Sequence, residues 1–108
     1  MKNIELHATQ ANQEVKRDAG KLRMDLIPPQ ALVALASVMT FGAEKYPAGS
    51  WRQVEPWRYH AAALRHLVAW AQGREKDNES GLPHLWHALT NIAFLIELEE
   101  ETEDENHG

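Results

Sequence analysis

Apolar residues recur at helical spacing in three stretches of this chain. In the first, Leu32, Leu35, Ala36, Met39 and Ala43 share one face, which predicts a helix over 29–46. Pro28 and Pro29 launch it, and Pro47 stops it, because the residue before a proline is biased away from the α region. The second stretch predicts a helix over 56–73, begun by Pro56 and ended by Gly73. Trp57, Ala61, Leu64, Val68 and Ala71 form one face, and Ala63, Leu67 and Trp70 carry it so far around that little solvent face remains. A helix that apolar is expected at the centre of the fold. The third helix is predicted over 83–101, with His84, His87 and Asn91 on a line that continues into Phe94 and Leu98. Leu85, Ala88, Ile92 and Leu95 flank that line, while Trp86, Thr90, Ala93, Glu97 and Glu100 fall opposite, on the expected solvent side. Ahead of all three, Leu22, Met24 and Leu26 alternate with Lys21, Arg23 and Asp25, the period of an extended segment.

The pattern therefore predicts an all-α fold: a small bundle of three main helices with an extended N-terminal segment laid against it. At 108 residues the chain holds one core. Three strongly apolar helices in so small a domain leave surface to cover, so a homo-oligomer is expected. Residues 1–20 carry no sustained apolar period and read as a flexible arm, 21–101 as the folded domain, and 102–108 as a disordered acidic tail. No run is long and apolar enough for a membrane span, and the polar start does not resemble a signal peptide. A cytoplasmic location is expected.

Charge and composition narrow the chemistry. The net charge of −5 gathers in the stretch after Glu97, leaving a body that is near neutral, with Lys21, Arg23, Lys45, Arg52, Arg58, Arg65 and Arg74 dispersed through it. Those cations form no continuous stripe, which suits a small phosphorylated ligand and argues against duplex nucleic acid. The absence of cysteine excludes disulfides and thiolate metal sites, so any metal must be held by His, Asp, Glu or Asn.

His84, His87 and Asn91 are the sharpest feature. Leaving three polar side chains unpaired on a buried face costs roughly 1–3 kcal/mol each, so partners, a metal or a ligand are expected there. Asp77 and Glu79 lie in the short loop just before that helix. Asp77, Glu79, His84 and His87 are the candidate catalytic and metal-holding residues, with Glu44 as a further metal ligand because a carboxylate in the last turn of a helix opposes the dipole. The bland alternative is a helix cap and two core histidines. Lys21 with Arg23, and Lys45, are candidate phosphate contacts, although Lys21 and Arg23 also suit an ion-paired edge. Arg65 and His66 interrupt the second helix, and a buried arginine there demands an anion. Trp51, in the loop after the first helix, suits either stacking on a base or covering the end of the bundle, and Tyr46 is a second stacking candidate.

The ordered blocks KLRMDLIPPQAL, FGAEKYPAGSWR, ALRHL and DNESGLPHLWHALTNIAFL resemble the domain of bacteriophage dATP/dGTP diphosphohydrolases, grouped with the all-α, MazG-like nucleoside triphosphate pyrophosphohydrolases. The resemblance runs from about Gly20 to Glu100. It implies an all-helical domain that dimerises or tetramerises, binds a deoxynucleoside triphosphate with Mg²⁺, and releases pyrophosphate. The sequence departs from the MazG pattern at the metal: the ExxE and ExxD carboxylate pairs are replaced by Arg65-His66 and by His84-Leu-Trp-His87, followed by Asn91. Imidazole suits Zn²⁺, Mn²⁺, Fe²⁺ or Ni²⁺ better than Mg²⁺.

Three readings follow. The first is a nucleotide phosphohydrolase dependent on a divalent metal (Mg²⁺ or Mn²⁺, with Zn²⁺ admitted by the imidazoles), cleaving a (deoxy)nucleoside triphosphate to monophosphate and pyrophosphate. Lys21, Arg23, Lys45 and Arg65 would then neutralise phosphates, with His66 and Asn91 as further ligand contacts. The second is a phage protein that sequesters a nucleotide or nucleotide-derived signal without turnover. The third is a structural oligomerisation domain.

Overall fold

The computed structural model describes residues 19–107, with side chains as far as Glu103. The arm expected over 1–20 lies, apart from Ala19 and Gly20, outside the described residues. Three α-helices dominate: α1 (Pro29–Lys45), α2 (Pro56–Ala71) and α3 (His84–His107), with 3₁₀ turns at Met24–Leu26 and Ser50–Gln53. No strand occurs among the described residues, and the all-α expectation holds.

The helix ends fall where the punctuating residues place them. Pro29 and Pro56 each occupy the first turn of their helices, where a missing N–H costs nothing. Tyr46, forced extended by Pro47, closes α1 at φ −132° and ψ 156°. Gly73, at φ +85°, ends α2 in a Schellman turn: its N–H donates to the Trp70 carbonyl and that of Arg74 to the Ala69 carbonyl. α3 passes residue 101, where the sequence places its end, and continues to His107. The acidic run contains no proline, and its first glycine is Gly108, so nothing local breaks the helix earlier. Within the segment expected to be extended, Met24–Leu26 instead form a 3₁₀ turn, and the Arg23 guanidinium grips Asp25 through two 2.8 Å bonds.

The central helix is α3, where the apolarity of α2 had pointed to α2 itself. α3 packs against both α2 and α1, most extensively against α2, and among the described residues α1 and α2 do not pack on each other. The helices meet through small side chains: Ala34, Ala63 and Ala88 are buried. Thr90, expected on the solvent side, is only 2% exposed, because a helix flanked twice buries a wider arc than one amphipathic stripe. Its hydroxyl donates to the Trp86 carbonyl at 2.9 Å, so no polar group is stranded.

At one end, an aromatic group locks the second 3₁₀ turn onto α2 and α3. Trp51 stacks on Phe94 with centroids 4.4 Å apart and planes 12° apart, and Tyr59 tilts against the same ring at 5.0 Å. The Tyr59 hydroxyl donates to the Trp51 carbonyl at 2.7 Å, and Arg52 pairs with Glu101 at 2.8 Å.

A large apolar area stays outside. On α2, Trp57, Leu64, Val68 and Trp70 are each at least half exposed. On α3, Leu85, Leu89, Ile92 and Ile96 run at the 4-3-4 spacing of a coiled-coil seam, all partly exposed.

Candidate functional site

The loop between α2 and α3 is held almost residue by residue. Lys76 pairs with Pro83 as an antiparallel bridge, the Asp77 N–H donates to the Leu82 carbonyl at 2.8 Å, and the Gly81 N–H donates to the Asp77 carbonyl at 2.8 Å. Gly81 sits at φ +73°, a conformation that L side chains rarely adopt. The Asp77 carboxylate turns into this loop and accepts from the N–H groups of Ser80 at 2.9 Å and Glu79 at 3.1 Å. Ser80 Oγ accepts from the Leu82 N–H at 3.1 Å and lies 2.6 Å from His87 Nε2. A short, internally bonded loop thus fixes Asp77 beside the first turn of α3.

Packing of α2 on α3 adds a third imidazole. His66 and His84 place their Nδ1 atoms 2.9 Å apart, and His66 stacks on His87 with ring centroids 4.7 Å apart. His87 Nε2 lies 4.0 Å from the Asp77 carboxylate. His66, Asp77 and His84, all half-buried, each bring one ligand-capable atom within 4.8 Å of the others, the one such group of three among the described residues.

Electrostatics disfavour the protonated forms of His66 and His87. Burial, reinforced by the charge His87 would carry, holds His66 below the ordinary imidazole value of 6.5; Asp77 opposes this, while His84 and Arg65 add to it. Burial likewise lowers His87, again against the pull of Asp77 and with help from His84. For Asp77, partial burial acts upward, but the Ser80 N–H, the neighbouring His87 and the Ser80 side chain prevail and lower it. Because the two imidazoles bind protons less readily folded than unfolded, the unfolded chain takes up more protons as the pH drops below about 6.5, and stability must fall with it. For metal-free protein, the urea midpoint is expected to drop between about pH 7 and about pH 5.5, and a His66→Gln, His87→Gln double variant to flatten that slope.

Of the residues singled out in the sequence, Asp77, His84, His87 and His66 come together here. Glu79 points elsewhere, to an ion pair with Lys45 that ties the loop to the end of α1. Glu44 lines a groove of about 470 Å³ between α1 and the loop, with Thr40, Phe41, Ser80 and Leu82, and touches the cluster only through the shared Ser80. Asn91 donates to the His87 carbonyl at 2.8 Å. Trp51 is occupied with Phe94; Tyr46 is exposed, with Lys45 Nζ 5.5 Å from its ring. Lys21 is exposed, and Arg23 is engaged with Asp25. Arg65 is exposed and not buried as its apolar neighbours suggested; it lines a shallow groove on α2 with Leu64, Val68, Gln72 and Arg74. The first turn of α3 offers little to an anion, because the His84 N–H already donates to Glu75 and those of Trp86 and His87 to Pro83. Ser80 was missed as a member of the site; its signal was the Asp-x-x-Ser spacing of a side-chain-capped turn.

Residues 11–107 match the family described as dATP/dGTP diphosphohydrolase, N-terminal. The chain belongs to that family. A relative from Salmonella phage PMBT28, named dATP/dGTP diphosphohydrolase, is 31% identical over 82 residues, which make up 76% of this chain and 28% of that protein. This member of the diphosphohydrolase N-terminal family therefore spans less than a third of that relative's length. No solved structure matches. No helix among the described residues is long and apolar enough to cross a membrane.

For this member of the family, Mg²⁺ fits the cluster poorly. That ion favours near-ideal octahedral oxygen coordination, and the cluster supplies one carboxylate among imidazoles.

Proposed function

We propose that this chain is a nucleotide phosphohydrolase domain that hydrolyses a (deoxy)nucleoside triphosphate to the monophosphate and pyrophosphate, and that the His66, Asp77, His84 and His87 cluster is where it does so. The family match over nearly the whole chain carries this reading, and the convergence of these residues gives it a location. Arg65 supports it: the guanidinium is exposed, and its charge is felt at His66, so it can draw a phosphate chain toward the cluster. His87, whose protonated form is disfavoured by burial, stands outside the group of three and accepts a proton from the attacking water at Nδ1, while the contact of its Nε2 with Ser80 fixes the ring's direction. A divalent ion bound in the cluster would supply Lewis acidity toward phosphate oxygens. The groove bordered by Ser80 and Glu44 offers space for a base next to the reacting phosphates. Incubating the chain with each deoxynucleoside triphosphate and Mg²⁺, Mn²⁺, Co²⁺ or Zn²⁺ tests this; monophosphate and pyrophosphate in equal amounts are expected, and no product with any pair refutes it.

One observation favours sequestration without turnover instead. A single carboxylate stands in the cluster, where the related pattern has paired acids. That reading predicts nucleotide recovered intact from the same incubation.

Association of copies belongs to the same proposal. The exposed seam Leu85, Leu89, Ile92 and Ile96 needs a cover, and a second copy of the chain supplies an equally apolar one. Ile92→Glu is expected to shift sedimentation toward the monomer, and wild-type protein sedimenting as a monomer across micromolar concentrations would refute the association.

A further inference from the structure

We infer that His66, Asp77 and His84 form a binding site for one late first-row divalent cation, of the class of Co²⁺, Ni²⁺ and Zn²⁺, and that the site discriminates against Mg²⁺. The inference rests on the hydrolase reading only for the use to which the ion is put. The site itself follows from geometry.

Ligand spacing is the first support. The Nδ1 atoms of His66 and His84 lie 2.9 Å apart. An ion bound to both at the usual metal–imidazole distance of about 2.0–2.1 Å would see them at an angle near 90°, the angle between adjacent positions of a six-coordinate ion. A carboxylate oxygen of Asp77 falls within 4.8 Å of both rings, giving two imidazoles and one carboxylate on one side of the ion and leaving the other positions to water or phosphate oxygens. In the metal-free chain the same spacing accommodates an N–H···N bond. Binding then requires only that the donor ring move its proton from Nδ1 to Nε2, with no net loss of protons.

Chemical type is the second support. Imidazole nitrogen binds ions late in the first row far better than Mg²⁺. Pre-organisation is the third. The Asp77 carboxylate is fixed by the Ser80 and Glu79 amides, and the two histidine-bearing helices share the most extensive helix–helix contact in the fold. Glu79 and Glu44, the remaining carboxylates considered for this role, do not join: the first is paired with Lys45 and the second lines the neighbouring groove.

The test needs no nucleotide. The untagged, metal-free 108-residue chain is titrated by calorimetry with Co²⁺, Zn²⁺, Ni²⁺ and Mg²⁺, and Co²⁺ binding is followed by visible absorption. One Co²⁺ or Zn²⁺ per chain is expected, bound at least about 100-fold more tightly than Mg²⁺. His66→Gln and His84→Gln are each expected to lose on the order of 100-fold in Co²⁺ affinity, and Glu79→Gln to stay within about threefold. Nitrogen NMR of wild-type protein with Zn²⁺ should show His66 and His84 both as Nε2–H tautomers coordinated through Nδ1, a readout independent of whether the variants fold. Equal or tighter Mg²⁺ binding, no binding of any ion, or unchanged Co²⁺ affinity in a folded His66→Gln overturns the proposal. A chain that binds Co²⁺ as described but releases no pyrophosphate retains the site and loses the hydrolase reading; turnover with Mg²⁺ and no Co²⁺ binding does the reverse.

Discussion

Asp77→Asn is expected to lower pyrophosphate release by on the order of 100-fold or more while leaving nucleotide affinity within about tenfold, a difference of about 1.4 kcal/mol. The substitution is nearly isosteric, and the amide oxygen can still accept from the Ser80 and Glu79 N–H groups, so the loop retains its bonds. What disappears is the negative charge that faces His66 and His87 and lies within ligand reach of His84. Without it the cluster holds a cation less well and no longer balances positive charge developing on His87. Parallel measurement of product release and equilibrium nucleotide binding separates the two quantities. Full activity in Asp77→Asn would remove the cluster from the chemistry and return Asp77 to the role of a loop cap.

Phe94→Ala is expected to cost about 3 kcal/mol of stability, a large share of what a domain this size possesses. Phe94 is the ring on which Trp51 stacks and Tyr59 leans, so its removal unseats two further aromatics and frees the 3₁₀ turn at Ser50–Gln53. Loss of near-ultraviolet ellipticity and a red shift of tryptophan emission should accompany the lower denaturation midpoint. An unchanged midpoint would mean that the stack carries no weight. The same contact bears on Trp51: a base stacking on the face that Phe94 covers would first have to displace it.

Helix boundaries were legible because proline and glycine mark them: Pro28, Pro29, Pro47, Pro56, Gly73 and Pro83 each stand at or beside an end found in the fold. The acidic end of α3 departs from the disordered tail that its composition suggests, because glutamate's helical propensity lets the helix run on to His107. Which helix is central could not be read from apolarity. α2 is apolar on most sides, yet Trp57 and Val68 remain 61% and 54% exposed, because apolarity records surface that must be covered without saying whether this chain covers it. Part of the site was foreseeable in the same local way. The loop before α3 is too short to carry Asp77 far from His84 and His87. The local pattern places His66 among ligand contacts and outside the metal group, since its approach to His84 depends on how α2 packs on α3, a long-range property with no mark in that pattern. Asp77 and Glu79 also looked equivalent two residues apart, whereas the turn directs one inward to backbone amides and the other outward to Lys45.

The position of α3 between two helices that do not touch each other has a consequence for how the molecule opens. Every member of the histidine cluster belongs to α2, α3 or the loop joining them, so the cluster sits within one helical hairpin, to which α1 is attached through α3 and the loop. A partial unfolding event that releases α1 breaks the Lys45 link and opens the groove beside Glu44, yet leaves the imidazoles facing one another. Hydrogen exchange should accordingly divide the chain into two cooperative units, with the α1 amides exchanging through a cheaper opening than those of α2 and α3.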